Sequence, residues 1–169
     1  MKRLLLASIV VSILCLFAGG AFAQTRPFQL SLTPDIAIAS KTTRIEGVSL
    51  NVWGENPQSA ITLGIVNGST GDSSGLSLGF LGNYAENYTG AQLGWVANYT
   101  SGTMKGLQWS AFNYAGRLHG LQLGLVNFAE LSDRGVQIGL INIMNQTKRW
   151  FAGFPNEVAP AMVLVNWRY

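Results

Sequence analysis

His119 is the one histidine of the chain, and it lies close to Arg117, with Ser110 on the neighbouring segment. A histidine able to take a proton from a serine hydroxyl is the minimum of an acyl-chain hydrolase, which a small barrel can host. The missing part is an orienting carboxylate or amide near His119. A histidine on the rim of the fold is the reading preferred. Metal chemistry finds no ligand cluster, because one His, scattered acids and a single cysteine offer no coordinating set. Asp72, Glu130 and Asp133 fall in turn-forming stretches, where Asp serves the backbone. No Lys-Ser/Thr follows a glycine run at phosphate-loop spacing. Asn67, Asn87, Asn98 and Asn145 match the glycosylation pattern, but two of them sit where a repeat wants Asn anyway. The best binding candidate is Lys148, Arg149, Trp150 and Phe151, with Phe154 beyond. Cations beside aromatic rings suit lipopolysaccharide phosphates or a surface ligand, though an anchor at headgroup depth is the preferred reading. These residues assign no catalytic role, no metal and no cofactor, so the chain reads as non-enzymatic.

The elements that must position such residues are announced by a repeat. Gly, apolar, Gln or Ser, apolar, Gly recurs from Gly75, Gly90, Gly120 and Gly135, and the last two copies continue to Asn127 and Asn142. Weaker copies start at Gly47, Ala60 and Gly106. The steps from Gly75 are 15, 16, 14 and 15 residues, room for one strand and a tight turn but not for a helix pair. A fixed period means one structural unit stacked on its neighbours.

The N-terminus predicts a secretory signal over 1–23. Lys2 and Arg3 precede an apolar run from Leu4 to Phe17, and Ala21-Phe22-Ala23 fits the cleavage rule. Cys15 lies inside the signal, so the exported chain would carry no thiol. Eleven basic residues less Lys2 and Arg3 leave nine against eight acidic ones, a net charge near +1 that argues against nucleic acid. Only 11% of residues are charged against roughly 25% in ordinary soluble domains, which fits an exported solenoid or an outer-membrane barrel.

Alternation with period two predicts eight strands near 44–54, 60–68, 75–84, 90–100, 106–115, 120–129, 135–144 and 161–169. Residues 24–43 form an N-terminal segment, periplasmic or an extra strand, where Pro34 interrupts 28–39. Residues 44–169 form the repeat-built domain. Two architectures compete. The first is a small antiparallel up-and-down transmembrane β-barrel of about eight strands. Leu121, Leu123 and Leu125 would meet lipid, Gly120, Gln122 and Gly124 would fill the lumen, and Tyr84, Tyr99, Tyr114 and Phe128 would form girdles. The even strand count would place 145–160 outside the cell. The alternative is a parallel β-solenoid of about fifteen-residue coils, with leucines inside, the Gly and Gln face in water and asparagines stacked at a corner. Short, similar linkers favour the solenoid. The alternating C-terminal strand favours the barrel, which is the reading adopted.

Val163-x-Val165-x-Trp167-x-Tyr169 resembles the assembly signal of bacterial outer-membrane barrels, which implies the outer-membrane assembly machinery as a partner. The whole exported chain also resembles a bacterial surface-repeat family with Gly-x-Gln-x-Gly-x-x-Asn copies and an Asn-Trp-Arg-aromatic end, here Asn166-Trp167-Arg168-Tyr169. That resemblance implies export and an envelope location, not a chemistry. The expectation is a non-enzymatic protein of the cell outer membrane, or alternatively of the periplasm or cell surface. Outer-membrane lipid, lipopolysaccharide included, would be its partner, and its role structural or surface interaction; the alternative is an exported solenoid binding module, the minor one a barrel lipid hydrolase.

Overall fold

Successive copies of the repeat wind in the same direction. In the computed structural model, which describes residues 25–169, β1 (Thr25–Thr33) pairs parallel with β3 (Arg44–Asn56), and β3 with β4 (Ser59–Gly94). β4 in turn pairs parallel with β5 (Ala97–Trp109), and β5 with β6 (Phe112–Met144). Only the two ends run antiparallel: β2 (Ile36–Ala37) against β1, and β7 (Ala161–Arg168) against β6. The result is a β-solenoid of about seven turns. The transmembrane barrel of about eight antiparallel strands is therefore corrected to the parallel coil. With it go the placing of 145–160 by strand count and the two aromatic girdles. The proposed signal peptide over 1–23 lies outside the described residues.

The leading glycines from Gly75 to Gly120 are stacking residues. Gly75, Gly90, Gly106 and Gly120 take φ of 118°, 131°, 125° and 145°, where L side chains are strained. A Cβ on Gly90 would also fall on the carbonyl oxygen of Gly75, one on Gly106 on that of Gly90, and one on Gly120 on that of Gly106. The chain turns there and rests on the coil before. Because the ladder continues round these corners, the expected segments merge. β4 takes in 60–68, 75–84 and the start of 90–100, and stretches read as turns, such as 69–74 and 130–134, are strand.

Inside, the expected solenoid is inverted. Gln92, Gln108, Gln122 and Gln137 are 0% exposed and form a ladder along the axis. Gln108 donates to Gln92 at 3.0 Å, Gln122 to Gln108 at 2.8 Å and Gln137 to Gln122 at 2.8 Å. The same amides also reach across the narrow coil, Gln122 to the Phe128 carbonyl at 3.2 Å and Gln137 to that of Ile143 at 3.0 Å. A second ladder runs Asn51, Asn67, Asn83, Asn98, Asn113, Asn127, Asn142, each amide donating to the next at 2.8–3.1 Å. The repeat's second glycine clears its space: a Cβ on Gly94 would meet the Asn98 side chain at 2.9 Å, and one on Gly139 the Asn127 amide at 2.6 Å. A buried amide is tolerable only when its donors and acceptor are matched, and in-register stacking supplies the match between rungs, leaving the Nε2 of Gln92 and the Oε1 of Gln137 at the two ends of the glutamine ladder without a partner. The apolar cluster, Ala85, Tyr88, Met104, Ala115, Leu118 and Ala129, is small. Leu118 apart, the leucines of the strands point out.

Both ends of the stack are closed, which blunts edges that would otherwise pair with other chains. Pro34 turns β1 into β2, and Gln29 ties the hairpin down through Ala39 and Asn56 at 2.9–3.0 Å. Thus 28–39 contributes strand on both sides of its proline. At the other end β7 closes the stack rather than a barrel. Asn166 donates to the Ala159 carbonyl at 2.9 Å, Arg168 pairs with Glu157, and the Trp167 indole donates to the Pro155 carbonyl at 2.9 Å.

Candidate binding surface

With amides inside, the first side of every coil turns its apolar residues outward. Register pairs Leu30 with Leu50, Leu50 with Leu63, Leu93 with Trp109, Trp109 with Leu123, and Ile138 with Val165. Leu78 is the corresponding residue of the intervening coil. Two residues further on come Leu32, Val52, Ile65, Phe80, Trp95 and Leu125, all exposed, Trp95 to 68%. Strand spacing and rise give this face roughly 700 Å2. That exceeds the largest apolar patch of a typical monomer, which is commonly ~300–600 Å2. Grooves run between these side chains, floored by the backbone of the second glycines. One of about 320 Å3 lies between Leu78, Phe80, Leu93, Trp95 and Trp109, over Gly79 and Gly94. A similar one of about 350 Å3 continues it over Gly124 to Leu125.

The apolar surface does not stop at the bend. Exposed Leu81, Val96, Phe112 and Ile141 carry it round the corner. Beyond it Tyr99 and Tyr114 stack with centroids 4.7 Å apart, and Tyr114 and Phe128 with centroids 5.5 Å apart. Expected as two girdles, these rings form one column instead, with Tyr84 in register with Tyr99. Carboxylates border the column: the Tyr84 hydroxyl donates to Glu55 and that of Tyr114 to Glu130, each at 2.5 Å. Burial, helped by Glu55, pushes Tyr84 up to about 12, and the Glu130 hydrogen bond does the same to Tyr114. Burial also raises Tyr88 above its ordinary range.

These shifts set an alkaline limit. A phenol whose folded pKa exceeds the unfolded value near 10 favours folding while protonated, because the unfolded chain ionises first. Stability is therefore complete below about pH 10 and falls as pH climbs towards 12. The urea midpoint measured across this window should drop, and Tyr84→Phe should flatten the drop. A slope unchanged by that substitution would refute the assignment.

The opposite border becomes basic towards the C-terminal coils. Lys105, His119 and Arg134, just before Gly106, Gly120 and Gly135, are exposed, and Lys105 and His119 are in register, whereas Glu46, Ser74 and Thr89 hold the same position in earlier coils. His119 is thus a rim residue. Ser110 is 5% exposed, inside the wall, with its hydroxyl bonded to the Phe112 carbonyl at 2.6 Å and Asn113 at 2.8 Å. The hydrolase pair is not brought together. Among the described residues no three His, Cys, Asp or Glu side chains gather as a metal site, and no helix is long and apolar enough to cross a membrane.

Lys148, Arg149, Trp150 and Phe151 lie in the C-terminal closing segment. Lys148 donates to the Asn145 carbonyl at 3.0 Å, and the Trp150 and Phe151 rings sit tilted 6.3 Å apart. Trp150 joins Ile141, Met162 and Val163 around a groove of about 210 Å3, so the loop extends the apolar surface to the end of the stack. Lys105 and Arg134 were not singled out by sequence reasoning; their position immediately before a corner glycine is the signal that could have found them. Asn67 and Asn98, two of the glycosylation matches, are buried in the asparagine ladder. No family model matches the chain, and neither a curated protein nor a solved structure matches it.

Proposed function

We propose that this chain is a non-enzymatic, exported β-solenoid binding module of the cell envelope, working through its outward apolar face. One observation carries this reading. The largest apolar side chains stand on the surface while glutamine and asparagine fill the interior. Leaving so much apolar surface in water is costly at roughly 25 cal/mol per Å2. A contiguous patch of this size marks an interaction site more often than chance exposure. The N-terminal Lys2-Arg3, the apolar run and Ala21-Phe22-Ala23 support export, and the Gly-x-Gln-x-Gly-x-x-Asn resemblance supports an envelope location.

The test uses the full chain with its leader, produced in a diderm bacterium and fractionated. The processed chain is expected to begin at Gln24 and to stay with the envelope fraction. Leu93→Ser combined with Leu125→Ser should leave processing and β-sheet circular dichroism unchanged while shifting about nine-tenths of the chain to the soluble fraction. Equal retention of this variant would remove the apolar face as the working surface.

A further inference from the structure

Charge on this molecule is unevenly spent. All eight carboxylates are engaged within the chain. Asp35, Glu46, Asp133 and Glu157 form ion pairs with Lys41, Arg44, Arg117 and Arg168. Glu55 and Glu130 accept from Tyr84 and Tyr114, Asp72 from Asn87, and Glu86 from the Gly71 amide. Five cations, by contrast, have no carboxylate partner among the described residues: Arg26, Lys105, Arg134, Lys148 and Arg149. All are exposed. They stand round the apolar face: Arg26 heads β1, Lys105 and Arg134 precede the outward Leu107 and Val136, and Lys148 and Arg149 flank Trp150 at its far end. A wide apolar surface bordered by unpaired cations is complementary to acyl chains beneath phosphates.

We infer that the apolar face docks onto an anionic lipid leaflet, with its side chains among the acyl chains and Arg26, Lys105, Arg134, Lys148 and Arg149 on the phosphates. This rests on the reading of that face as the working surface and names its partner. A second copy of the chain fits less well on two counts. It brings no free carboxylate to meet the five cations, since each is already engaged. A flat twin also covers one side only, whereas the exposed apolar surface continues over a convex corner through Leu81, Val96, Phe112 and Ile141. A fluid leaflet follows such a surface. Every strand of the docked face except the outermost has its backbone paired on both edges, so entry to headgroup depth strands no row of amides.

The experiment is flotation of the purified chain, residues 24–169, with vesicles of phosphatidylcholine alone and of phosphatidylcholine with phosphatidylglycerol. The chain should float with the anionic vesicles and lose binding as salt rises. Lys105→Gln combined with Arg134→Gln should lower that partition about twenty-five-fold, roughly fivefold for each surface cation. Circular dichroism checks that the double variant stays folded, and both sites are exposed. Equal binding to both vesicle types would overturn the role of the cations. Failure to float at all, with the face-dependent envelope retention above intact, would overturn the lipid and leave a protein partner. A stable dimer in buffer that withholds the chain from vesicles would make a second copy the occupant. Loss of the face-dependent retention as well would remove the working surface itself.

Discussion

Asn98→Leu should lower the stability of the solenoid by about 3–5 kcal/mol, read as a fall in the urea midpoint at unchanged slope. Leucine keeps the branched skeleton of asparagine, so no cavity is created; the hydrogen bonds are lost and two bulkier methyl groups stand where polar atoms lie at 2.8–3.1 Å. The Asn98 amide donates to the Gln92 carbonyl at 3.0 Å, the Trp109 carbonyl at 3.0 Å and Asn113 at 3.1 Å, and accepts from Asn83 at 2.8 Å. A leucine there leaves buried carbonyls with one partner fewer, at about 1–3 kcal/mol for each group left unsatisfied. Asn98 also joins two halves of a ladder. In a fold where each coil contacts chiefly its neighbours, a weak rung uncouples the coils on either side. Protection from hydrogen exchange should therefore fall on both flanks of residue 98, and a purely local loss would contradict the ladder account.

Gly106→Ala should be at least as damaging, costing about 3 kcal/mol or more, although it adds one methyl group. At φ 125° the backbone is strained for any L side chain, and the new Cβ would occupy the place of the Gly90 carbonyl oxygen. Relief needs the two coils to part, which breaks the parallel ladder between β4 and β5. Gly71 provides the contrast. It too has a positive φ, 56°, but a Cβ there meets nothing within 4 Å. Gly71→Asn should stay within about 1 kcal/mol of the parent, because Asn tolerates the left-handed region. Equal thermal midpoints for the two variants would contradict both the backbone strain and the contact between coils assigned to Gly106.

The stacking period was legible in the sequence because glycine and amide positions recur together. Gly90, Gln92, Gly94 and Asn98 each have one stacking task, so the unit can be read without coordinates. Which way the strands face was not legible from the same letters. Alternation says that Leu121 and Gln122 lie on opposite sides, but hydrophobicity alone assigns the leucine inward in water and outward in lipid. The solenoid reading had the winding right and the sides inverted. The barrel reading had the sides right, with Leu121, Leu123 and Leu125 outward and Gln122 inward, and the winding wrong. Both errors share a cause: an interior of hydrogen-bonded amides satisfies each coil only through the next, and no single copy displays that. Strand limits failed for a related reason. Polar stretches such as 69–74 stay in the ladder because the neighbouring coil offers partners that a free turn lacks. Of the binding surface, Lys148, Arg149, Trp150 and Phe151 stood out as a run, whereas Lys105 and Arg134 are brought to one border only by the winding.

Thiol accessibility at two nearby positions tests the inverted interior most directly. The chain from Gln24 onward has no cysteine, so Ser77→Cys and Phe80→Cys each introduce a single thiol. Ser77 is 1% exposed and bonded to Asn83 at 2.7 Å, whereas Phe80 is 65% exposed on the apolar face. In vesicle-free buffer a charged maleimide should react promptly at position 80 and reach position 77 only once urea unfolds the chain. Prompt reaction at 77 with protection at 80 would put the leucines inside and the amides in water, and both the ladders and the docking face would be lost.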